Sequence, residues 1–250
     1  MKNLFKLLFL LVFIVVLGCQ QQDKPMQKDD TLVIGLSAEY PPFEFQQQGT
    51  LMGFDVDLSH ALADELGKKI QIQDMPFHSL IPALQSGKID LAISGMTVTT
   101  ERQKNIDFSN QYYTNSLAIV YLKSGDVPKL TQLCNNNIGV QLGSTMEKWA
   151  KQQTASCQKA TLVALDTNPP LIEQLKLQRI HFIVLETVQA IAFCKADPKL
   201  AFIKIGPTQE GIAVAMVKGS ALVPQINTAL NTLEQKGILE QLKKKWALDI

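Results

Sequence analysis

The stretch Ile89-Asp90-Leu91-Ala92-Ile93-Ser94-Gly95-Met96-Thr97-Val98-Thr99-Thr100-Glu101-Arg102 gathers the groups best suited to hold an anion. Its apolar, β-branched start reads as a strand buried on both faces. The run then breaks at Ser94-Gly95 into small and hydroxylated residues. Thr97 to Thr100 offers hydroxyls and helix caps, and Arg102 follows. An anion there would meet backbone N–H groups, hydroxyls and a bidentate guanidinium. Open α/β sheets place ligands at such a point, beyond the carboxyl end of a parallel strand. The plainer alternative is a strand–turn–helix with a surface arginine. Glu186 is a second candidate, because it directly follows the apolar run Phe182-Ile183-Val184-Leu185. Its plainer alternative is an acid favoured by the dipole at the start of the next helix.

Other chemistries find little support. There is no nucleophile–base pair, and Gly139 to Gly143 lacks a dinucleotide-binding glycine pattern. His60, His78 and His181 are scattered, and no Cys or His spacing suggests a metal. We therefore expect no catalytic residue, no metal and no cofactor. The formal net charge of +1 over 250 residues implies no basic face, so nothing argues for nucleic acid. At 46% hydrophobic residues, the chain can fill one large core or two modest ones.

The N-terminus reads as a processing segment. Lys2 and Lys6 supply a positive flank, and Leu7 to Leu17 is apolar but short for a membrane span. Val16-Leu17-Gly18-Cys19 resembles a bacterial lipobox, with Val in place of the usual Leu. Residues 1–18 are thus expected to be a lipoprotein signal peptide, Cys19 the lipid attachment site, and 19–30 a tether. Loss of Lys2 and Lys6 would leave 22 basic against 23 acidic side chains, a charge of −1. Cys134, Cys157 and Cys194 then remain, an odd number outside the cytoplasm. Cys134–Cys157 is the shorter loop, but the pairing stays open.

The elements that must position these groups alternate between strand and helix. Thr31 to Leu36 is a buried strand. Ser37 to Phe43 is a loop stiffened by Pro41 and Pro42. Gln46 to Gly49 is a hairpin turn, and Phe54 to Leu66 a helix with Leu58, Ala61, Leu62 and Leu66 on one face. Beyond the strand Leu117 to Tyr121 the pattern restarts. Ile138 to Gln141 is a strand, Gly143-Ser144-Thr145 opens a helix, and Ile238 to Trp246 closes the chain. A weak internal echo aligns Leu80-Ile81, Leu84, Lys88-Ile89, Leu91 and Ile93 with Leu171-Ile172, Leu175, Arg179-Ile180, Phe182 and Val184 at constant offset. Two similar α/β halves would produce it, as would chance recurrence of a common unit.

Several of these segments, in order and at matching spacing, resemble the amino-acid-binding solute receptors of ABC importers. They are Phe43-Glu44-Phe45, Gly53-Phe54-Asp55-Val56-Asp57-Leu58, Leu80 to Asp90, the opening stretch, and Asp107-Phe108-Ser109 with Tyr112. The resemblance runs from about Thr31 to the C-terminus and is nearest to the arginine and basic-amino-acid branch. It implies a two-lobed, type II periplasmic-binding-protein-like α/β fold with two hinge strands. Residues 31–119 plus 215–250 would form lobe 1, and 120–214 lobe 2.

The resemblance also distributes the ligand contacts. Arg102, Thr97 and the N–H of Thr145 would take an amino-acid carboxylate. Glu186, where the family normally has Asp, would take the ammonium with Ser94 and the Gly95 carbonyl. Tyr40 and Phe77 would sandwich the side chain, favouring arginine, then another basic amino acid, then glutamine. Core packing is the plainer alternative for both rings. Ser37 stands where lysine- and histidine-binding members carry Asp. Glu39 and Gln141 would reach the far end of the ligand, and Met96 would offer backbone or apolar contact. The implied protein is a monomeric, extracytoplasmic receptor held to a bacterial membrane by its lipid, which closes on a free amino acid and docks on an ABC transporter permease. A dehydratase-type lyase and a sensory or adhesive lipoprotein are the alternatives.

Overall fold

A computed structural model describes residues 30–123, 127–205 and 211–248. The expected leader, Cys19 and all but the last residue of the expected tether lie outside them. From Thr31 onward the chain forms one compact unit. β1 (Thr31–Leu36) leads through a small hairpin sheet, β2 (Glu39–Tyr40), β3 (Glu44–Gln47) and β4 (Thr50–Met52), into α1 (Phe54–Leu66) and β5 (Lys69–Asp74). A 3-10 turn at Phe77–Ser79 precedes α2 (Leu80–Gln85), β6 (Leu91–Ala92), α3 (Thr100–Gln103) and β7 (Ile106–Tyr113). Next come β8 (Leu117–Leu122), β9 (Asn137–Gln141), α4 (Thr145–Gln153), β10 (Thr161–Leu165), α5 (Pro169–Lys176), β11 (Phe182–Glu186), α6 (Thr187–Ala196) and β12 (Leu200–Ile205). The last elements are β13 (Ile212–Val217), α7 (Leu222–Gln235) and α8 (Ile238–Lys245).

Two five-stranded sheets carry two α/β lobes, in the orders β5-β1-β6-β13-β7 and β10-β9-β11-β8-β12. In each, three strands run parallel and a fourth pairs antiparallel to both its neighbours. Helices cover both faces, so the central strands read as continuous apolar runs rather than alternating ones. In the first lobe, α1, α7 and α8 pack Leu58, Leu62, Ile226 and Leu239 over one face, and α2 packs Leu80 and Leu84 over the other. Each such fully buried side chain contributes roughly 1.5–3 kcal/mol. α1 stops where Gly67 adopts a left-handed conformation (φ 62°, ψ 31°) and returns its N–H to the Ala63 and Asp64 carbonyls.

The internal echo has a structural counterpart. Ile34 pairs with Leu91 and Gly35 with Ala92, and in the second half Ile138 pairs with Phe182 and Gly139 with Ile183, the echo's partners of Leu91 and Ala92. A Cβ on Gly35 would lie 2.5 Å from Ile89 Cδ1 and 3.0 Å from Leu80 Cδ2. On Gly139 it would lie 2.7 Å from Ile180 Cδ1 and 3.0 Å from Leu171 Cδ2. Each half therefore drops an equivalent helix onto an equivalent glycine.

Strand pairing moves the expected lobe divisions. Leu117–Leu122 pairs throughout within the second sheet and Ile212–Val217 within the first. Divisions after Ile119 and Val214 would cut through β8 and β13. The chain crosses instead between Tyr113 and Leu117, and returns between Ile205 and Ile212. An apolar run shows that a strand is buried, but only the ladder shows in which sheet. Cys134 and Cys157 are disulfide-bonded, tying the 3-10 segment Leu130–Asn135 to the chain beyond α4, and Cys194 is free. Among the described residues no helix is long and apolar enough to cross a membrane, and no cluster of His, Cys, Asp or Glu is suited to a metal.

Candidate ligand-binding site

The two lobes meet around a nearly filled pocket, whose cavity volume is only about 10 Å³ in this arrangement. It lies beyond the carboxyl ends of four parallel strands. Ser37 follows β1, Ser94 follows β6, Gln141 ends β9 and Glu186 ends β11, and all four line it. Tyr40, Phe77, Gly95, Thr97 and Arg102 line it from the first lobe, and Thr145 from the second.

Glu186 is buried and surrounded by donors. The Tyr40 hydroxyl donates to its Oε2, Asn115 Nδ2 donates to the same oxygen at 3.2 Å, and the Thr97 hydroxyl donates to Oε1 at 3.3 Å. Burial raises its pKa to about 6, and these three hydrogen bonds, with the charge of Arg102, oppose a larger rise. Arg102 is positioned by the short helix α3, whose N-cap Thr99 accepts the Arg102 N–H through its hydroxyl at 3.2 Å. Its Nη1 donates to the Thr97 carbonyl at 2.7 Å and its Nη2 to the Gly143 carbonyl of the other lobe at 3.2 Å. The guanidinium lies 5.3 Å from the centre of the Phe77 ring. Desolvation lowers its pKa to about 10, against the pull of Glu186 and Glu101, so it is charged at neutral pH.

Opposite Arg102, Ser144 caps α4 by accepting the Glu147 N–H at 3.1 Å. The first turn of α4, at Thr145, thus presents N–H groups that no helical carbonyl can satisfy. Tyr40 does more than line the pocket. Its ring stacks on Phe43 (centroids 5.7 Å apart, planes at 20°) while its hydroxyl holds Glu186. The cis Pro41–Pro42 bond lies between these two aromatics.

Three expected roles change. Glu39 does not line the pocket. It reaches across the cleft, where Gln141 Nε2 donates to its Oε1 at 2.6 Å and the Asn168 N–H to its Oε2 at 2.8 Å. The backbone aims it at the start of α5 instead of at the pocket. Burial raises its pKa to about 8, with the Asn168 hydrogen bond opposing and Asp74 adding to the rise. Gln141 keeps its place in the lining but spends its amide on Glu39. Met96 is wholly buried in the core under α2 and is absent from the lining, because it packs with Leu80, Ala83 and Leu84.

The structure also adds Glu44. It sits between Phe43 and Phe45 in β3, wholly buried, and lines the pocket. The Ser94 hydroxyl donates to its Oε1 at 2.5 Å and in turn accepts the Ser37 N–H at 3.0 Å. The signal available in the sequence was an acid between two aromatics beside a proline-stiffened loop. Asn115, the third donor to Glu186, left no comparable signal.

Residues 32–249 match the family model described as bacterial extracellular solute-binding proteins, family 3. The arginine-binding extracellular protein ArtP of Bacillus subtilis (strain 168) is 39% identical over 220 residues, covering 86% of this chain and 85% of that protein. An ancestral arginine-binding protein solved with arginine superposes with a TM-score of 0.84 at 37% identity, covering 87% of this chain and 98% of that one. One solved with glutamine gives 0.83 at 36% identity, covering 89% and 99%. The fold is therefore that of the type II periplasmic binding proteins, and this chain belongs to family 3 of the bacterial extracellular solute-binding proteins.

Proposed function

We propose that this protein captures a free amino acid outside the cytoplasm, arginine before others, and delivers it to an ABC transporter permease. The observation that carries the reading is the charge of the pocket. Two buried carboxyls, Glu44 and Glu186, face one guanidinium, Arg102. With all three ionised the lining is short of one positive charge, which a zwitterion with a cationic side chain supplies. Arg102, the Thr97 hydroxyl and the first turn of α4 at Thr145 receive the carboxylate. Glu186 receives the ammonium, with Ser94 and Gly95 beside it. Tyr40 and Phe77 flank the side chain, and Glu44 lies at its end, near Ser37. The solved relative with bound arginine supports this choice, and the one with glutamine makes glutamine the competitor to test.

Both lobes supply contacts, the first lobe most of them and the second Glu186 and the turn at Thr145, so ligand favours the closed arrangement through differential affinity. The pocket's acids are engaged as charge partners and hydrogen-bond acceptors, which favours a receptor over a lyase. Cys19 carries the lipid that keeps the monomeric receptor at the membrane. Calorimetric titration of the chain from Gln20 onward with the twenty amino acids and ornithine tests the reading. Tight arginine binding with little glutamine binding is expected, and the ligand should be recovered unchanged. No heat from a folded, ligand-free preparation would overturn it, and chemical conversion of a ligand would favour the lyase.

A further inference from the structure

At the pocket wall Glu44 is backed by a second buried carboxyl, Asp55. Glu44 and Asp55 are both wholly buried. Asp55 is held from the far side, with the Gly95 N–H donating to Oδ2 at 2.7 Å and the Tyr112 hydroxyl reaching Oδ1 and Oδ2 at 2.9 and 3.0 Å. Glu44 has only the Ser94 hydroxyl on Oε1, and its Oε2 meets no donor among the described residues. Asp55 lies beside it: the Asp55 N–H donates to the Phe43 carbonyl at 2.8 Å, and the consecutive residues Ser94 and Gly95 each hold one of the two acids. Two carboxylates in contact inside a protein do not both stay ionised. The donors around Asp55 are committed and none reaches Glu44 Oε2, so a proton on Glu44 is what relieves the pair. Burial, then the charge of Asp55, push the Glu44 pKa well up, against the Ser94 hydrogen bond. Asp55 is also raised by burial, while Gly95, Tyr112 and Glu44 hold it back. Glu39, Tyr40 and Tyr112 are the other titratable groups facing the pair, and burial keeps both phenols neutral. Glu186 differs, because three donors and Arg102 surround it.

We propose that Glu44 and Asp55 share one proton while the pocket is empty, and that a ligand with a fixed cation releases it when the cation reaches Glu44. The step breaks the Glu44 O–H bond and passes the proton to the buffer, with no change of oxidation state. A neutral carbamoyl or carboxamide side chain would leave the proton in place and accept a hydrogen bond from it. The pocket would then take either class of side chain, the choice being set by pH. This rests on the reading of the site as an amino-acid pocket whose far end is Glu44.

The test is calorimetry of the purified full chain with L-arginine and its neutral isostere L-citrulline, from pH 5.5 to 8.5, in buffers of differing ionisation enthalpy. Comparing the two ligands cancels protons moved by closure itself. Arginine should release about one proton more than citrulline, and the affinity ratio should rise about tenfold per pH unit while Glu44 is protonated when empty. Glu44→Gln should still bind citrulline and should lose both differences. Asp55→Asn should lower the Glu44 pKa and shrink the proton release while retaining arginine binding. Equal proton counts for the two ligands, or a ratio independent of pH, would overturn the proposal while leaving the receptor reading intact. If neither ligand binds, the receptor reading fails separately. Carboxyl carbon NMR of the empty protein then decides, and an ionised Glu44 at pH 7 would overturn the shared proton.

Discussion

Arg102 and Glu186 both line the pocket, and the proposed reading gives them different parts of a ligand. Truncating one member of a buried, hydrogen-bonded charge pair costs roughly 2–5 kcal/mol. Glu186→Ala should therefore weaken arginine binding by about thirty-fold or more, because the ammonium loses its anion and Tyr40 and Asn115 lose their acceptor. Wild-type affinity in that variant would remove Glu186 from the site. Arg102→Ala should weaken arginine by a similar factor and agmatine, which lacks the carboxylate, far less. Equal losses for the two ligands would place Arg102 elsewhere. That both line the pocket was legible in the sequence, because each follows a strand-like apolar run. Glu44 was not assigned a role, since alternation in a short hairpin strand does not tell which face meets a cavity.

At the scale of elements, Glu39 links β2 to β9 and to the N-terminus of α5 without lining the pocket. Opening would return it to water and to the ordinary carboxylate range. Its pKa is about 8 in the arrangement described, so closure takes up a proton. The contribution of this group to closure is thus full below the open-state pKa and is lost as pH rises through about 8. Glu39→Gln, neutral at every pH, should flatten the decline in affinity for a neutral ligand between pH 6 and 9. Glu39→Ala should weaken all amino-acid ligands by a common factor, read by calorimetry, without reordering them. A change in ligand ranking would return Glu39 to the pocket. The paired glycines make a second element-scale prediction. Gly35→Ala and Gly139→Ala each push a methyl into close-packed Ile and Leu side chains. Each should destabilise the protein by about 1–3 kcal/mol in urea unfolding, and an unchanged midpoint would show that the helices yield.

For the molecule as a whole, two lobes with matching strand orders put four strand ends around one pocket, an arrangement in which the proposed closure and capture would be a single event. Tethering should act on where that event occurs, not on its affinity. Cys19→Ser should abolish incorporation of labelled palmitate and leave arginine binding by the unlipidated protein unchanged; palmitate taken up by that variant would refute the lipobox reading. Local chemistry sufficed to read much of this architecture. Runs of β-branched residues, glycine stops, a serine cap at Ser144 and an offset helix–strand echo are written in consecutive residues, and they specify elements and their repetition. The tertiary structure alone decided which sheet β8 and β13 join, that Cys134 pairs with Cys157, and that Glu39 crosses the cleft while Glu44 lines the pocket. Those outcomes depend on groups far apart in the chain coming within a few ångströms, and on the desolvation that only packing from both lobes imposes. Periodicity along one strand or helix carries no information about either.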